Sequence, residues 1–390
     1  MNNTATKFHQ HVSNLHNYWP HFNTVAYAIY NDKDVLLFNH PKCVNNDYIT
    51  IPKSNDFNAC TVILFEDFPT AIVDERLFSE FNQTYAVLIH ELFHGYQYTY
   101  GESRFPNELV GIDYSLCEKN ISLRIEEQNA LYQALLTKDL ASVHYFITLR
   151  NTRNSLFPQE TGYEAAIESV EGPAHYVETK AFKTVAANEY EQYIEKTLTL
   201  LTEPIESHLQ IRKSCYSSGL ALCMLLDHFS PNWQHAFTQS QVSLFDLFKS
   251  FFQNNEMSIT VPDHKQLAEI ILHKDQLAKQ AKFKQFEQAT GYKIVMNGTF
   301  KVTSFDPMNI TKYNNQAIHH HFIQLTIDDM SYIFTQPVHT TFEQNFMTIY
   351  QAILFVDTPP LLEHETITIM NNQLPISQLE QQNDIYYVTI

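Results

Sequence analysis

Short apolar runs open the chain. Residues 24–30 and Asp34–Phe38 are two of them, with Asn31-Asp32-Lys33 between them as a turn, and residues 60–65 (CTVILF) make a third. Runs of this length bounded by turn formers predict strands, the third of them buried. From about residue 75 to residue 284 the apolar spacing changes to three or four, as in 122–136 (SLRIEEQNALYQALL) and 217–229 (SSGLALCMLLDHF), which predicts amphipathic helices. Beyond Gly291 the short runs return at 298–304, 322–327, 366–370 and 385–390, separated by Asn, Asp and Pro. The expected fold class is α+β: an N-terminal β-rich part over 1–75, a mainly helical domain over 76–285 and a C-terminal β-rich domain over 286–390.

Composition narrows the partners. At 390 residues with 44% hydrophobic content spread along its length, the chain can bury more than one core. Its 43 acidic against 25 basic residues give a net charge of -18, which repels a phosphate backbone and an anionic bilayer alike. Nucleic acid is therefore not an expected partner. The first 22 residues are polar, contain His9, His11, His16 and His21, and lack the basic-then-apolar order of a secretion signal. No run reaches the roughly 18 apolar residues of a membrane span. Five cysteines, an odd number without a C-x-x-C pair, suit a reducing compartment, so a cytoplasmic location is expected.

The chemistry concentrates in His90-Glu91-Leu92-Phe93-His94. Asn82-Gln83-Thr84 can cap a helix running over 85–100 and stopping near Gly101. Histidines four apart share one helical face, so His90 and His94 can both aim imidazole nitrogens at one Zn²⁺. Glu91 projects beside that stripe, where it can take a proton from an activated water. A hydrolytic zinc needs a third protein ligand and an open position. No glycine and histidine follow His94 at metzincin spacing. Glu171 is the preferred third ligand, with Glu168 one turn earlier as its competitor and Glu126 and Glu127 as weaker rivals. Pro173 should start or kink a helix there.

These residues resemble the gluzincin peptidases, whose third ligand is a downstream glutamate on a separate helix. Val170-Glu171-Gly172-Pro173-Ala174 is similar to the N-E-G-F-A segment of the aminopeptidase N-type enzymes. Gly172 and Ala174 would let this segment pack closely on the motif helix. With Glu171 as ligand, Glu168 or Glu178 becomes the group that orients a ligating histidine. Tyr216-Ser217-Ser218-Gly219 resembles the Y-x-x-G helix start of the same family, which implies a Tyr216 hydroxyl that stabilises the tetrahedral intermediate; a tyrosine simply packed at a helix start fits equally well. Two departures stand out. The interval from His94 to Glu171 is longer than in that family and requires an inserted helical segment near 114–150. The G-x-M-E-N segment that binds a substrate amino group is also missing, so aminopeptidase action is not implied.

The expectation is thus a zinc-dependent metallopeptidase acting on a peptide or small protein, with His90, His94 and Glu171 as ligands, Glu91 as base and Tyr216 as oxyanion donor. Hydrolysis of a small amide or ester, or a non-catalytic binding role on the same fold, are the alternatives. His319-His320-His321 is set aside, because adjacent strand residues point to opposite faces. Tyr163 and His175 are secondary candidates for lining the substrate site.

Overall fold

Strands β1 (Ala26–Tyr30) and β2 (Asp34–Phe38) form a hairpin closed by Asn31, whose side-chain oxygen accepts from the backbone N–H groups of Lys33 and Asp34. β3 (Tyr48–Pro52), β4 (Thr61–Phe65) and β5 (Phe68–Asp74) complete a sheet ordered β3-β2-β1-β5-β4, antiparallel except for the β1–β5 pair. The computed structural model describes residues 2–252 and 263–390; the part of the expected helical stretch at 253–262 lies outside the described residues. Side chains alternate across the sheet with a period of two. Tyr27, Ile29, Leu36, Phe38, Ala71 and Val73 join the core shared with the helices, whereas Ala28, Tyr30, Val35, Leu37 and Ile72 pack with Phe57 and Phe65 on the other face.

One strand departs from expectation. β4 is an edge strand and half-exposed rather than buried; its apolar residues line a cleft, which composition alone does not distinguish from a core.

The motif helix, Phe81–Tyr100, leaves β5 through a single short turn and packs Tyr85, Leu88, Ile89, Leu92 and Phe93 into the shared core. It starts earlier than expected. Glu80 precedes it and Thr84 Oγ1 donates to the Glu80 carbonyl, so Asn82-Gln83-Thr84 forms its first turn. Gly101, at φ +81°, ends it in the left-handed conformation that glycine adopts without strain. Helices Glu118–Thr137 and Leu140–Leu156 fill the long interval that follows. The helix of the expected third ligand, Pro158–Val185 and called the ligand helix below, begins on Pro158, where a missing N–H costs nothing, and runs unbroken through Pro173, which neither starts it nor ends it.

The Tyr216 helix, Ile211–Phe229, crosses the ligand helix where two glycines meet: a Cβ on Gly172 would lie 2.8 Å from Gly219 Cα. The close approach allowed by Gly172 is therefore to this helix, not to the motif helix. Tyr216 accordingly sits inside a helix rather than at its start.

The architecture is α+β, in two compact units: Met1–Pro106 with Cys117–Leu267, and Asn107–Leu116 with Ala268–Ile390. The division falls within helix Lys265–Glu287, ahead of residue 286. In the second unit the long strand Tyr292–Phe305 pairs antiparallel with Thr348–Val356 and Ile323–Ile327 and parallel with Ile385–Thr389. Its own core includes Ile294, Phe300, Leu325, Phe334 and Leu354. The three consecutive histidines diverge there: His319 is buried against Phe305, His320 meets Thr311 Oγ1 at 2.8 Å and His321 meets Asp306 Oδ2 at 2.8 Å. All five cysteines are free, and among the described residues no helix is long and apolar enough to cross a membrane.

Candidate metal centre

His90 and His94 stand one turn apart on the motif helix, and their Nε2 atoms approach to 3.0 Å. The ligand helix brings Glu171 Oε2 to 3.5 Å from the first and 3.3 Å from the second. Three atoms held about 2.0 to 2.2 Å from one tetrahedral zinc are roughly 3.3 to 3.6 Å from each other. The triangle of donors thus has nearly the size that the ion demands.

The outer nitrogens fix the direction of the inner ones. His90 Nδ1 lies 2.8 Å from Glu178 Oε2, and a carboxylate only accepts, so Nδ1 donates. His94 Nδ1 donates to Gln97 Oε1 at 2.7 Å, because Gln97 spends its amide hydrogen on the Val170 carbonyl at 2.9 Å. Neutral imidazoles held this way present two lone pairs to the point faced by the Glu171 oxygen. Such convergence repels unless positive charge sits at its centre.

Protons on the imidazoles meet that demand as a metal ion would. Burial favours neutral His90, yet its hydrogen bonds with Glu171 and Glu178 outweigh burial and hold its pKa well above the usual histidine value; Glu171 does the same for His94. Burial favours a protonated Glu171, but the two imidazoles keep its carboxyl well below the usual range. This all-nitrogen-and-oxygen donor set, with the outer nitrogens of both histidines hydrogen-bonded, fits Zn²⁺.

Glu178 anchors the outer layer. Besides His90 it accepts from the Tyr193 hydroxyl, and His175 Nδ1 lies 2.9 Å from the oxygen that His90 uses. The His175 ring packs between His90 and Tyr216, at 4.6 and 5.1 Å between centroids. His90, His175 and Glu178 also lie close enough to hold an ion, but His90 Nδ1 is already committed to Glu178 as a donor, so we read that group as hydrogen-bonded support.

A cleft of about 480 Å³ opens over the triangle, lined by Glu91, Arg212 and Tyr216 together with strand β4. Burial raises the Glu91 carboxyl above its ordinary value, opposed by His90 and His94. Burial, then the charge of Glu171, pushes the Tyr216 phenol up to about 12 against Arg212, so it is a protonated donor at neutral pH. Arg212 Nη2 donates to Glu171 Oε1 at 3.2 Å, engaging the carboxylate oxygen that faces away from the histidines.

The competing glutamates are occupied elsewhere. Glu168 accepts two bonds from Arg150, at 2.9 and 2.8 Å, and one from Ser218 at 2.5 Å. Glu126 pairs with His264 at 2.5 Å, and Glu127 with Arg150 and Arg153. Of the two carboxylates considered for orienting a histidine, Glu178 touches one and Glu168 does not. Tyr163 is buried and lies outside the cleft lining. Sequence reasoning missed Gln97 and Arg212, although helical spacing contained both: Gln97 follows His94 by three residues, and Arg212 precedes Tyr216 by four. No protein-family model, curated protein or solved structure matches the chain.

Proposed function

We propose that the protein is a zinc-dependent metallopeptidase of gluzincin type, in which Glu91 is the general base. The observation that carries this reading is the convergence of His90, His94 and Glu171 at 3.0 to 3.5 Å beside a buried carboxylate in an open cleft. These three residues would hold the ion. The chemistry that zinc supplies when bound is Lewis acidity towards a water and a carbonyl oxygen. Glu91, its pKa raised by burial, takes a proton from the attacking water and returns it to the leaving amine. Tyr216 donates to the carbonyl oxygen as negative charge develops. Arg212 holds the outer oxygen of Glu171, leaving the other directed at the histidines.

A peptide substrate is favoured over a small amide by β4. This strand lies at the sheet edge, and its residues Thr61 to Leu64, with Cys60 just before them, line the cleft, so an extended chain can add to its unpaired side through main-chain hydrogen bonds. The test is cleavage of a peptide library by the zinc-loaded protein. Glu91→Gln is expected to lower cleavage by about 10²- to 10⁴-fold with zinc content unchanged. A Glu91-dependent activity on small amides, with no peptide cut, would sink the peptidase reading.

A further inference from the structure

A second cavity, of about 330 Å³, adjoins the cleft. Its floor is a face of the ligand helix where Gly162, Ala165, Ala166 and Ser169 carry only small side chains. The next residues of that helix, Val170 and Glu171, line the metal cleft, and Phe105, 57% exposed, is a wall of both. The floor runs roughly 10 Å along the helix from Gly162 to Ser169, on the face opposite Glu171, so a bound peptide would reach it by passing Phe105, about three or more residues from the metal triangle.

The charged side chains that line this floor are mostly cations, each with a carboxylate partner. Arg104, Arg150 and Lys249 line it against one acidic residue, Asp246, in a protein of net charge -18. Two of the three cations are committed: Arg104 donates to Glu102 at 2.8 Å with both side chains buried, and Arg150 serves Glu127 and Glu168. Lys249 differs. Its Nζ lies 3.4 Å from Asp246 Oδ1, with 37% and 54% of the two side chains exposed, a pairing that solvent largely screens. Asp246 is independently engaged by Ser243, which donates to its carboxylate at 2.8 Å at the start of helix Leu244–Ser250. Nearby, Asn154 accepts from Thr161 at 2.6 Å, and among the described residues its amide donor has no protein acceptor. The cavity therefore offers an exchangeable ammonium and an amide donor above an uncluttered floor.

We infer that this cavity is a substrate subsite for a carboxylate, located about three to four residues from the scissile bond of a bound peptide, with Lys249 as its anchor. The carboxylate is either an acidic side chain or the free C-terminus. The inference rests on the peptidase reading and adds its substrate class.

The test uses the full chain loaded with zinc. Peptides that differ only by Glu or Gln at the third and fourth positions on each side of the cut, and by a free or amidated C-terminus, are compared in cleavage by the wild type. Binding of the same peptides to Glu91→Gln protein is read by fluorescence anisotropy. The carboxylate form is expected to bind about tenfold more tightly, the size of one charge-assisted contact. Lys249→Gln should erase that difference, and Ala166→Leu, which fills the floor, should erase it with zinc content unchanged. Whichever arm shows the difference identifies the carboxylate as side chain or terminus. Cleavage without any carboxylate preference, or a preference that survives Lys249→Gln, overturns the subsite and leaves the peptidase reading standing. Absence of all peptide cleavage overturns both.

Discussion

Each imidazole of the triangle sends one nitrogen inward and the other to a fixed acceptor, and the two acceptors differ. His90 has the carboxylate of Glu178, while His94 has the amide of Gln97, which is itself tied to the ligand helix through the Val170 carbonyl. Gln97 therefore holds His94 in its tautomer and links the two helices that carry the triangle. On this account Glu178→Gln and Gln97→Ala each weaken zinc binding by about 10- to 100-fold, measured by competition with a chromophoric chelator. Affinity equal to wild type in both would contradict the roles assigned to them. His90 and His94 were legible because their pairing needs only one turn of helix. Rejection of Glu168 was not, because the groups that occupy it, Arg150 and Ser218, come from 18 and 50 residues away. Gln97 and Arg212 had the right spacing, but spacing alone cannot separate a polar strut from a solvated face.

Among the elements, the crossing of the ligand helix and the Tyr216 helix matters most, since it sets Arg212 and Tyr216 against Glu171. An added Cβ on Gly219 would lie 2.7 Å from Gly172 Cα and 3.0 Å from the Glu168 carbonyl, all backbone that cannot turn aside. Gly219→Ala should therefore destabilise the protein by about 1 to 3 kcal/mol, read by thermal melting, and lower cleavage with it. Gly162, on the ligand helix, has no heavy atom within 4 Å of the added Cβ, so Gly162→Ala should be neutral or stabilise by up to about 1 kcal/mol. Equal destabilisation at both sites would remove the crossing as the cause. The sequence indicated that Gly172 permits a close approach but pointed to the motif helix, whereas the helix that approaches is the one that carries Gly219. Strand β4 has the same character: CTVILF reads as apolar whether it faces a core or a cleft.

At the scale of the molecule, the interval before Glu171 contains a buried charge network. Arg124, Arg150 and Arg153 meet Glu127, Glu164 and Glu168 at 2.6 to 3.0 Å, with every side chain at most 3% exposed. Burial would raise the carboxyls of Glu127 and Glu164, but the guanidinium groups outweigh it and lower them, Glu164 well below its ordinary value. The unfolded chain, with carboxyls near 4.3, then binds more protons than the folded one as pH falls. Their stabilisation is complete above that value and is lost as pH drops through the folded values. The network's own contribution, read as the difference in urea midpoint between wild type and Arg153→Met, should be constant from about pH 7 to 5 and shrink below about pH 4. Arg153→Met, which takes one of two guanidinium partners from each of Glu127 and Glu164, should cost about 3 to 5 kcal/mol at pH 7. A difference indifferent to acid would contradict the network's role.

The three-zone α+β order was readable at this scale, because hydrophobic periodicity is local. The division of the chain was less so: helix Lys265–Glu287 keeps its period across the boundary, and Asn107–Leu116 joins a unit more than 150 residues downstream. The central claim, a zinc ion held by His90, His94 and Glu171, is tested most directly by calorimetric titration of chelator-treated protein with Zn²⁺. The account predicts one ion per chain, with affinity reduced about a hundredfold or more by His94→Ala and by Glu171→Gln, and unchanged by Glu168→Gln in protein that remains folded. Substoichiometric zinc, or binding that survives loss of His94 and Glu171, would contradict it.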